Sequence, residues 1–358
     1  MADTLTLDAA PAASAQTAPV IVAVDDGYAQ TKLWNRGARG ADEVTRSLLL
    51  TSVRQGSDTF SGLDGSAARG SYESEGQRFN ASPLVASENT RYDDFHVSAL
   101  NRVAIHHALH ESGFRGRTVD LICGLPLSSY YSNGRRNVDF INKKKTNLMV
   151  PVRALDAGPE DNVTISSVSV YSQGICAWVD WAIDESLQFR PEATEEDAPV
   201  GIIDIGGRTT DFAVVILDQG KPRIDHARSG SVNLGVLDVQ RILEREITAR
   251  FKGVEKLARK EYDRAVREGE MRIFGRKEDV SDLVDRGVRE IGAQIERVVA
   301  GTIGSGADLG AVLFVGGGAQ LFQKVSQIYP HGIVQEDPEF SNARGMFKYA
   351  ALQAGSQG

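Results

Sequence analysis

Short apolar runs along the chain close repeatedly on glycine-bearing turns. Val20 to Val24 is a valine-rich run ending in Asp25-Asp26-Gly27, which predicts a buried strand entering a turn, with Thr31 to Trp34 as the returning strand. Residues 37 to 92 are polar and rich in Gly and Ser, with weak alternation in SLLLTSV and GQRFNAS, and they read as a small strand-rich insertion. Apolar positions then recur at helical spacing, with Val97, Leu100, Val103, Ala104, Ala108 and Leu109 on one face and Gly113 as the stop. A buried strand, VDLICGLPL, follows, then a helix carrying Lys143 to Lys145, a second strand region VTISSVSVYS and the apolar helix GICAWVDWAIDESL.

After the proline-broken acidic loop RPEATEEDAP the theme restarts. VGIIDIGGRTTDFAVVIL again reads as strand, glycine turn and returning strand, an internal echo of the opening hairpin. Two mixed-charge helices, LDVQRILEREITARF and VSDLVDRGVREIGAQIERVVAGTI, precede a third strand and glycine turn, AVLFVGGGAQLF, and NARGMFKYAALQ reads as a closing helix.

The chain's 358 residues suit two domains, each with its own core. A net charge of -8 opposes direct binding to nucleic acid or anionic membrane, so contact with DNA is expected to go through a partner. Cys123 and Cys176 sit in apolar contexts without metal-ligand spacing and read as buried packing residues. Residues 1 to 18 lack a secretory pattern and read as a flexible tail, and no stretch reaches membrane-spanning length, so a cytoplasmic location is expected.

Each glycine turn alone is weak evidence, because tight turns need glycine everywhere. Three in order, each behind an apolar strand, are more specific: Asp25-Asp26-Gly27 with Lys32, Asp204 to Asp211, and Gly316-Gly317-Gly318. Converging backbone N–H groups and the hydroxyls of Thr209 and Thr210 can cradle a phosphate. Asp25 and Asp204 at the strand ends would repel bare phosphate, which calls for a cation between the two, and Mg²⁺ suits such oxygen ligands. Lys32 offsets further phosphate charge. Asp26 is left open between metal binding and capping the turn. His106 and His107, in an apolar helical run, read as packing or surface residues, Trp178 and Trp181 as core, and Lys143 to Lys145 as a solvated helix face.

IVAVDDGYAQTKLW, GIIDIGGRTTDF and LFVGGGAQL resemble the phosphate-1, phosphate-2 and adenosine motifs of the actin, sugar kinase and heat-shock chaperone superfamily. Within it, VAIHHALHESGF, VDLICGLPLSSYY, SVNLGVLDV and GMFKYA are similar to the ParM/StbA family of plasmid-segregation ATPases, over nearly all of the chain after the tail. The resemblance implies an actin-like, ribonuclease H-like α/β fold with a nucleotide cleft between two domains. Domain I is expected over 19–172, domain II over 173–336, and a helix over 337–358 returning to domain I.

The resemblance also implies the site. Phosphate contacts fall on Asp25, Gly27, Lys32, Gly206, Gly207, Thr209 and Thr210, Gly316 to Gly318 pass the adenosine, and Gly235 forms the other wall of that pocket. Asp204 is the magnesium-directed aspartate, with Asp25 as a second carboxylate, both acting through water. Gln173 stands where the family has a glutamate that positions the attacking water, and a glutamine can orient water but not take its proton. Tyr28 is a second departure, bulky where the family has a small hydroxyl residue. The implied activity is Mg²⁺-dependent ATP hydrolysis coupled to filament assembly, with copies of the chain and a DNA-bound adaptor as partners. The alternatives are a small-molecule kinase of the superfamily, a chaperone-like nucleotide switch, or an actin-like scaffold.

Overall fold

The structure, a computed structural model, describes residues 18 to 355 except 39, 41, 42, 57 to 60, 62, 66, 67, 86 and 256. The expected tail therefore lies outside the described residues up to residue 17.

The first apolar run folds as Val20–Asp26 (β1) and turns back as Gln30–Arg36 (β2), an antiparallel hairpin in which Asp25 faces Lys32 and Asp26 faces Thr31. Val44–Leu50 (β3) pairs with β2, so the SLLL part of the SLLLTSV segment extends the main sheet and only its end, from Val53, belongs to the smaller one. Val53–Gln55 (β4), Ser71–Ser74 (β5) and Gln77–Ala81 (β6) form the smaller sheet. Ser98 caps Ala99–Glu111 (α1) by accepting from the Asn101 N–H, which fixes where the helix starts. Thr118–Leu125 (β7) then runs parallel to β1. The short helix Leu127–Tyr130 (α2), the hairpin Tyr131–Ser132 (β8) with Arg135–Arg136 (β9), and Val138–Leu148 (α3) lead to Arg153–Ala154 (β10). β10 closes the small sheet in the order β10-β5-β6-β4. Thr164–Ser172 (β11) completes the main sheet as β11-β7-β1-β2-β3.

The second half repeats this plan. After Ile175–Ala182 (α4), Val200–Ile205 (β12) and Thr210–Asp218 (β13) form an antiparallel hairpin, flanked by Lys221–Ile224 (β14) and Gly230–Val232 (β15). Val236–Arg250 (α5) and Arg259–Glu268 (α6) are followed by a small hairpin, Glu270–Ile273 (β16) with Arg276–Asp279 (β17), and by the long helix Ser281–Ile303 (α7). Ala311–Val315 (β18) lies parallel to β12, and after Gln323–Ser326 (α8) so does Gly332–Val334 (β19) to β18. Ser341–Gly355 (α9) ends the described chain.

Each half therefore has a hairpin whose first strand pairs in parallel with a later one, and each buries its own apolar layer. Val22, Val24, Leu121 and Cys123 centre the first core, and Ile203, Ile205, Ile295 and Phe314 the second. Continuous burial of β12 and β18, and of β1 from Val22 onward, explains why these strands read as unbroken apolar runs. α9 packs between the halves: Met346 joins Ala23 and Ile122 of the first sheet with Cys176 of α4, while Tyr349 and Leu352 lean on the layer beneath the second sheet. Trp178 is buried in that layer, with Trp181 partly buried beside it. Among the described residues no helix is long and apolar enough to cross a membrane.

Candidate functional site

Parallel pairing sets the ends of β12 and β18 side by side in one sheet, and the turn of the β1–β2 hairpin, from the other sheet, meets them where Ala29 lies against Gly207 and Gln30 against Gly317. Between them lies a cleft of about 470 Å³ whose lining includes Lys32, Gly206, Gly207, Gly316 and Gly317. The hairpins touch at Gly207, where an added Cβ would fall 2.4 Å from the Cβ of Ala29, so any side chain there would push the halves apart. Gly316 has φ +87 and lies against the Asp204 carboxylate, a position that glycine alone adopts without strain.

The carboxylates form the floor behind the cleft. Asp25 and Asp204 are buried, at 4% and 5% exposure. Lys32 Nζ donates to Asp25 Oδ2 at 3.0 Å, and Gln173 Nε2 donates to Asp25 Oδ1 at 2.7 Å. Burial, reinforced by Asp25 and then Asp211, pushes the Asp204 carboxyl up to about 7, against a hydrogen bond from Asn342 Nδ2 at 2.7 Å. Asp211 rises to about 6 through burial, opposed by the hydroxyls of Ser231 and Thr209 and the Leu127 N–H.

Three buried carboxylates near one lysine make a donor set short of positive charge, and a hard cation fits that deficit. Among the described residues no group of three or more His, Cys, Asp or Glu converges to ligate a metal directly. The donor set suits Mg²⁺ held through water and phosphate oxygens, with Asp204 and Asp25 as the carboxylates.

The other expected residues take supporting places. Gly206 N–H donates to the Thr209 carbonyl at 2.8 Å, closing the second turn, and Thr209 donates to Asp211. Thr210 is fully buried and donates to the Leu234 carbonyl at 2.9 Å, which commits its hydroxyl away from any phosphate. The Gly206 and Gly207 carbonyls accept from the N–H groups of Val236 and Leu237, so the turn caps α5 just beyond Gly235. Gly27 gives its carbonyl to Thr51 Oγ1 at 2.8 Å, and Gly318 N–H donates to the Ile205 carbonyl.

Tyr28 turns away from the cleft. Its ring is buried against Phe95 and His96 at 5.3 and 4.7 Å, and Arg208 lies 5.1 Å over it. Arg208, on the second turn, also pairs with Asp93 at 2.6 Å. Arg259 of α6 donates to the carbonyls of Thr51 and Tyr28, and Arg91 pairs with Asp238, so three arginines tie the halves together across the mouth of the cleft.

Asp26 is a structural centre and not a ligand. Fully buried, it receives Lys144 Nζ at 2.7 and 2.9 Å and Asn101 Nδ2 at 2.8 Å, with His96 Nδ1 3.1 Å away. The reading of Lys143 to Lys145 as a solvated face is corrected here. Lys144 shares the inner face of α3 with Ile141 and Leu148 and is wholly buried, because its charge is neutralised by Asp26 and bonded to the Gly124 carbonyl. His106 is buried within α1, and His107 meets the Tyr72 hydroxyl at 3.1 Å.

Sequence reasoning missed Asp263 and Arg267 of α6, Gln240 of α5 and Gln320, which also line the cleft. It missed Asn342 as well. Polar residues on a mixed-charge helix carry no local signal of a shared pocket.

Two halves on one strand plan, each bringing a glycine hairpin to the cleft, define an actin-like α/β protein. The sequence matches "Plasmid segregation protein ParM, N-terminal" over residues 20–182 and "Archaeal actin homologue MreB-like, C-terminal" over residues 202–327. The chain belongs to the actin-like proteins, with a ParM-type N-terminal part and an MreB-like C-terminal part. It is similar in fold to a 15-stranded ParM filament from Clostridium botulinum, with a TM-score of 0.73, 18% identity, and 93% of this chain and 99% of that chain covered. It is also similar to Ta0583, an archaeal actin homologue in complex with ADP, with a TM-score of 0.68, 20% identity and coverage of 93% and 99%. The actin-like protein Alp7A gives a TM-score of 0.69 at 14% identity, with 94% and 97% covered. No curated protein matches the chain in sequence.

Proposed function

We propose that the chain is a Mg²⁺-dependent ATPase that assembles into filaments in its ATP state and moves plasmid copies apart through a DNA-bound adaptor. The observation that carries this reading is the contact of the two hairpin turns at Gly207 and Ala29, in front of Asp25 and Asp204 from different halves. A nucleotide bridging those turns holds the cleft closed, and loss of its γ-phosphate weakens the bridge. Closure sets the shape of any surface spanning both halves, so hydrolysis can loosen an assembly. We assign domain I to 19–172 and domain II to 173–336, with the segment from 337, whose helix is Ser341–Gly355, returning to domain I and Gln173 at the junction. Bound Mg²⁺ would screen the phosphate oxygens from Asp25 and Asp204, while Lys32, Gly27, Gly206 and Gly207 face the phosphates, joined by Thr209 if its hydroxyl is released from Asp211. Gly235 and Gly316 to Gly318 flank the adenosine, and Gln173 orients the attacking water.

The ParM filament among the similar structures and the net charge of -8 support self-assembly with an indirect link to DNA. The test is light scattering and negative-stain microscopy across a protein concentration series with ATP, ADP and a non-hydrolysable analogue. Filaments with ATP or the analogue that shorten as ADP accumulates are expected. A protein that hydrolyses ATP yet stays monomeric well above micromolar concentration would sink the filament reading and leave the ATPase.

A further inference from the structure

We propose that Asn342 is a positioning residue that links the carboxylate of Asp204 to the segment carrying Gln173, so that the site of the cation and the orientation of the attacking water are set together. The proposal rests on the ATPase reading above. Its observation is independent of that reading: one buried side chain joins two parts of the site that are distant in sequence.

Asn342 lies in the first turn of α9 at 4% exposure. Its Nδ2 donates to Asp204 Oδ2 at 2.7 Å, and its Oδ1 accepts the N–H of Gly174 at 3.0 Å. Both ends of the amide are therefore used. Gly174 precedes α4 with φ +71, and its neighbour Gln173 donates to Asp25. A continuous chain of bonds runs from Asp204 through Asn342 and the Gly174 backbone to Gln173 and Asp25, crossing from the second half to the first.

The geometry leaves α9 little freedom to absorb a displacement. A Cβ on Gly345 would fall 1.8 Å from the Cys176 carbonyl oxygen, so the backbones of α9 and α4 are in direct contact one turn beyond Asn342. Just before α9, the Pro338 carbonyl accepts from Gly316 N–H at 2.8 Å, which ties the same segment to the third glycine turn. A cation held near Asp204 would be sensed at Gly174 through the Asn342 amide, which bonds both groups. An amide suits this role because it donates at one end and accepts at the other.

The full-length chain is compared with Asn342→Ala and Asn342→Asp. Turnover is counted per nucleotide site, with sites titrated by a fluorescent ATP analogue, and amide hydrogen exchange is followed with and without Mg-ATP. Asn342→Asp keeps an acceptor for Gly174 but sets a carboxylate against Asp204. Its turnover per site is expected to fall about tenfold, the loss of one hydrogen bond to a charged group, with KM for ATP within about threefold of wild type. Exchange in the segment 172–176 should stop responding to Mg-ATP in this variant, while the segment 204–211 still responds. Asn342→Ala should expose the Gly174 amide even without nucleotide. A merely structural residue would lower the number of sites and leave turnover per site and the exchange response of those that remain unchanged. Wild-type turnover per site and wild-type exchange in both variants would overturn the proposal alone, whereas a wild-type chain that neither binds nor turns over ATP would overturn the ATPase reading and this proposal with it.

Discussion

Gln173 holds Asp25 by a 2.7 Å hydrogen bond from its Nε2, while Lys32 holds the other oxygen of the same carboxylate. Gln173 follows β11 and Asp25 is the last residue but one of β1, so the bond crosses the sheet at the edge where the cleft opens. It fixes the glutamine side chain beside the first glycine hairpin.

That fixed position predicts the behaviour of Gln173→Ala. The variant should bind ATP normally, because Lys32 and the glycine turns are untouched, and hydrolyse it about a hundredfold more slowly, the scale of misplacing one reacting group. Filaments of the variant should persist longer. Single-turnover kinetics beside an equilibrium binding titration checks both halves, and a collapse of affinity with normal turnover of the bound fraction would show that Gln173 has another role.

A second prediction concerns Asp26 and Lys144. Burial alone would raise the Asp26 carboxyl, yet the Lys144 ammonium and the His96 ring hold it down to about 2. Lys144→Ala leaves that charge buried without its main partner and should cost about 3–5 kcal/mol, whereas Asp26→Asn with Lys144→Met should recover most of the loss. Urea unfolding of the single and double variants decides this. Equal loss in both would mean that packing, and not charge, sets the cost.

The two halves and the glycine turns were legible in sequence because each rests on a local pattern. An apolar strand buried on both faces reads as a continuous run, and Gly207 and Gly316 mark places where backbone meets backbone or carboxylate. Lys144 was misread since a run of three lysines gives no sign of which one turns inward, a choice made by Asp26 from 118 residues away. Asn342 stayed hidden for a similar reason, since its partners Asp204 and Gly174 are brought to it by the packing of α9, and Asp263 and Arg267, though an i,i+4 pair within α6, gave no sign that packing turns them toward the cleft. The strand β3 was grouped with the insertion because its polar alternation is that of an edge strand, and edge strands resemble one another in either sheet.

The last prediction follows from Asp204. Its carboxyl is pushed up to about 7 by burial and by Asp25, against about 3.8 in an unfolded chain, so between those values the folded protein holds a proton that the unfolded chain has lost. Stability from this group is therefore fully present below about pH 4 and drains away as pH rises toward 7, on the order of 4 kcal/mol in all. Asp211, raised to about 6, acts with the same sign. Burial lowers His106 to about 3 and His107 and His110 to about 4, and these run the other way, since the folded state then carries fewer protons than the unfolded chain up to about pH 6.5. The raw melting curve mixes both trends, so the informative quantity is the difference between wild type and Asp204→Asn without nucleotide or divalent cation. Relative to wild type, the variant should gain stability steadily from pH 4 to 7 and then level off. Mg-ATP should shrink that difference by stabilising the ionised carboxylate in wild type. Thermal melts across this range measure it, and a difference that stays constant with pH would show that Asp204 does not titrate there and that the cluster needs no cation to balance its charge.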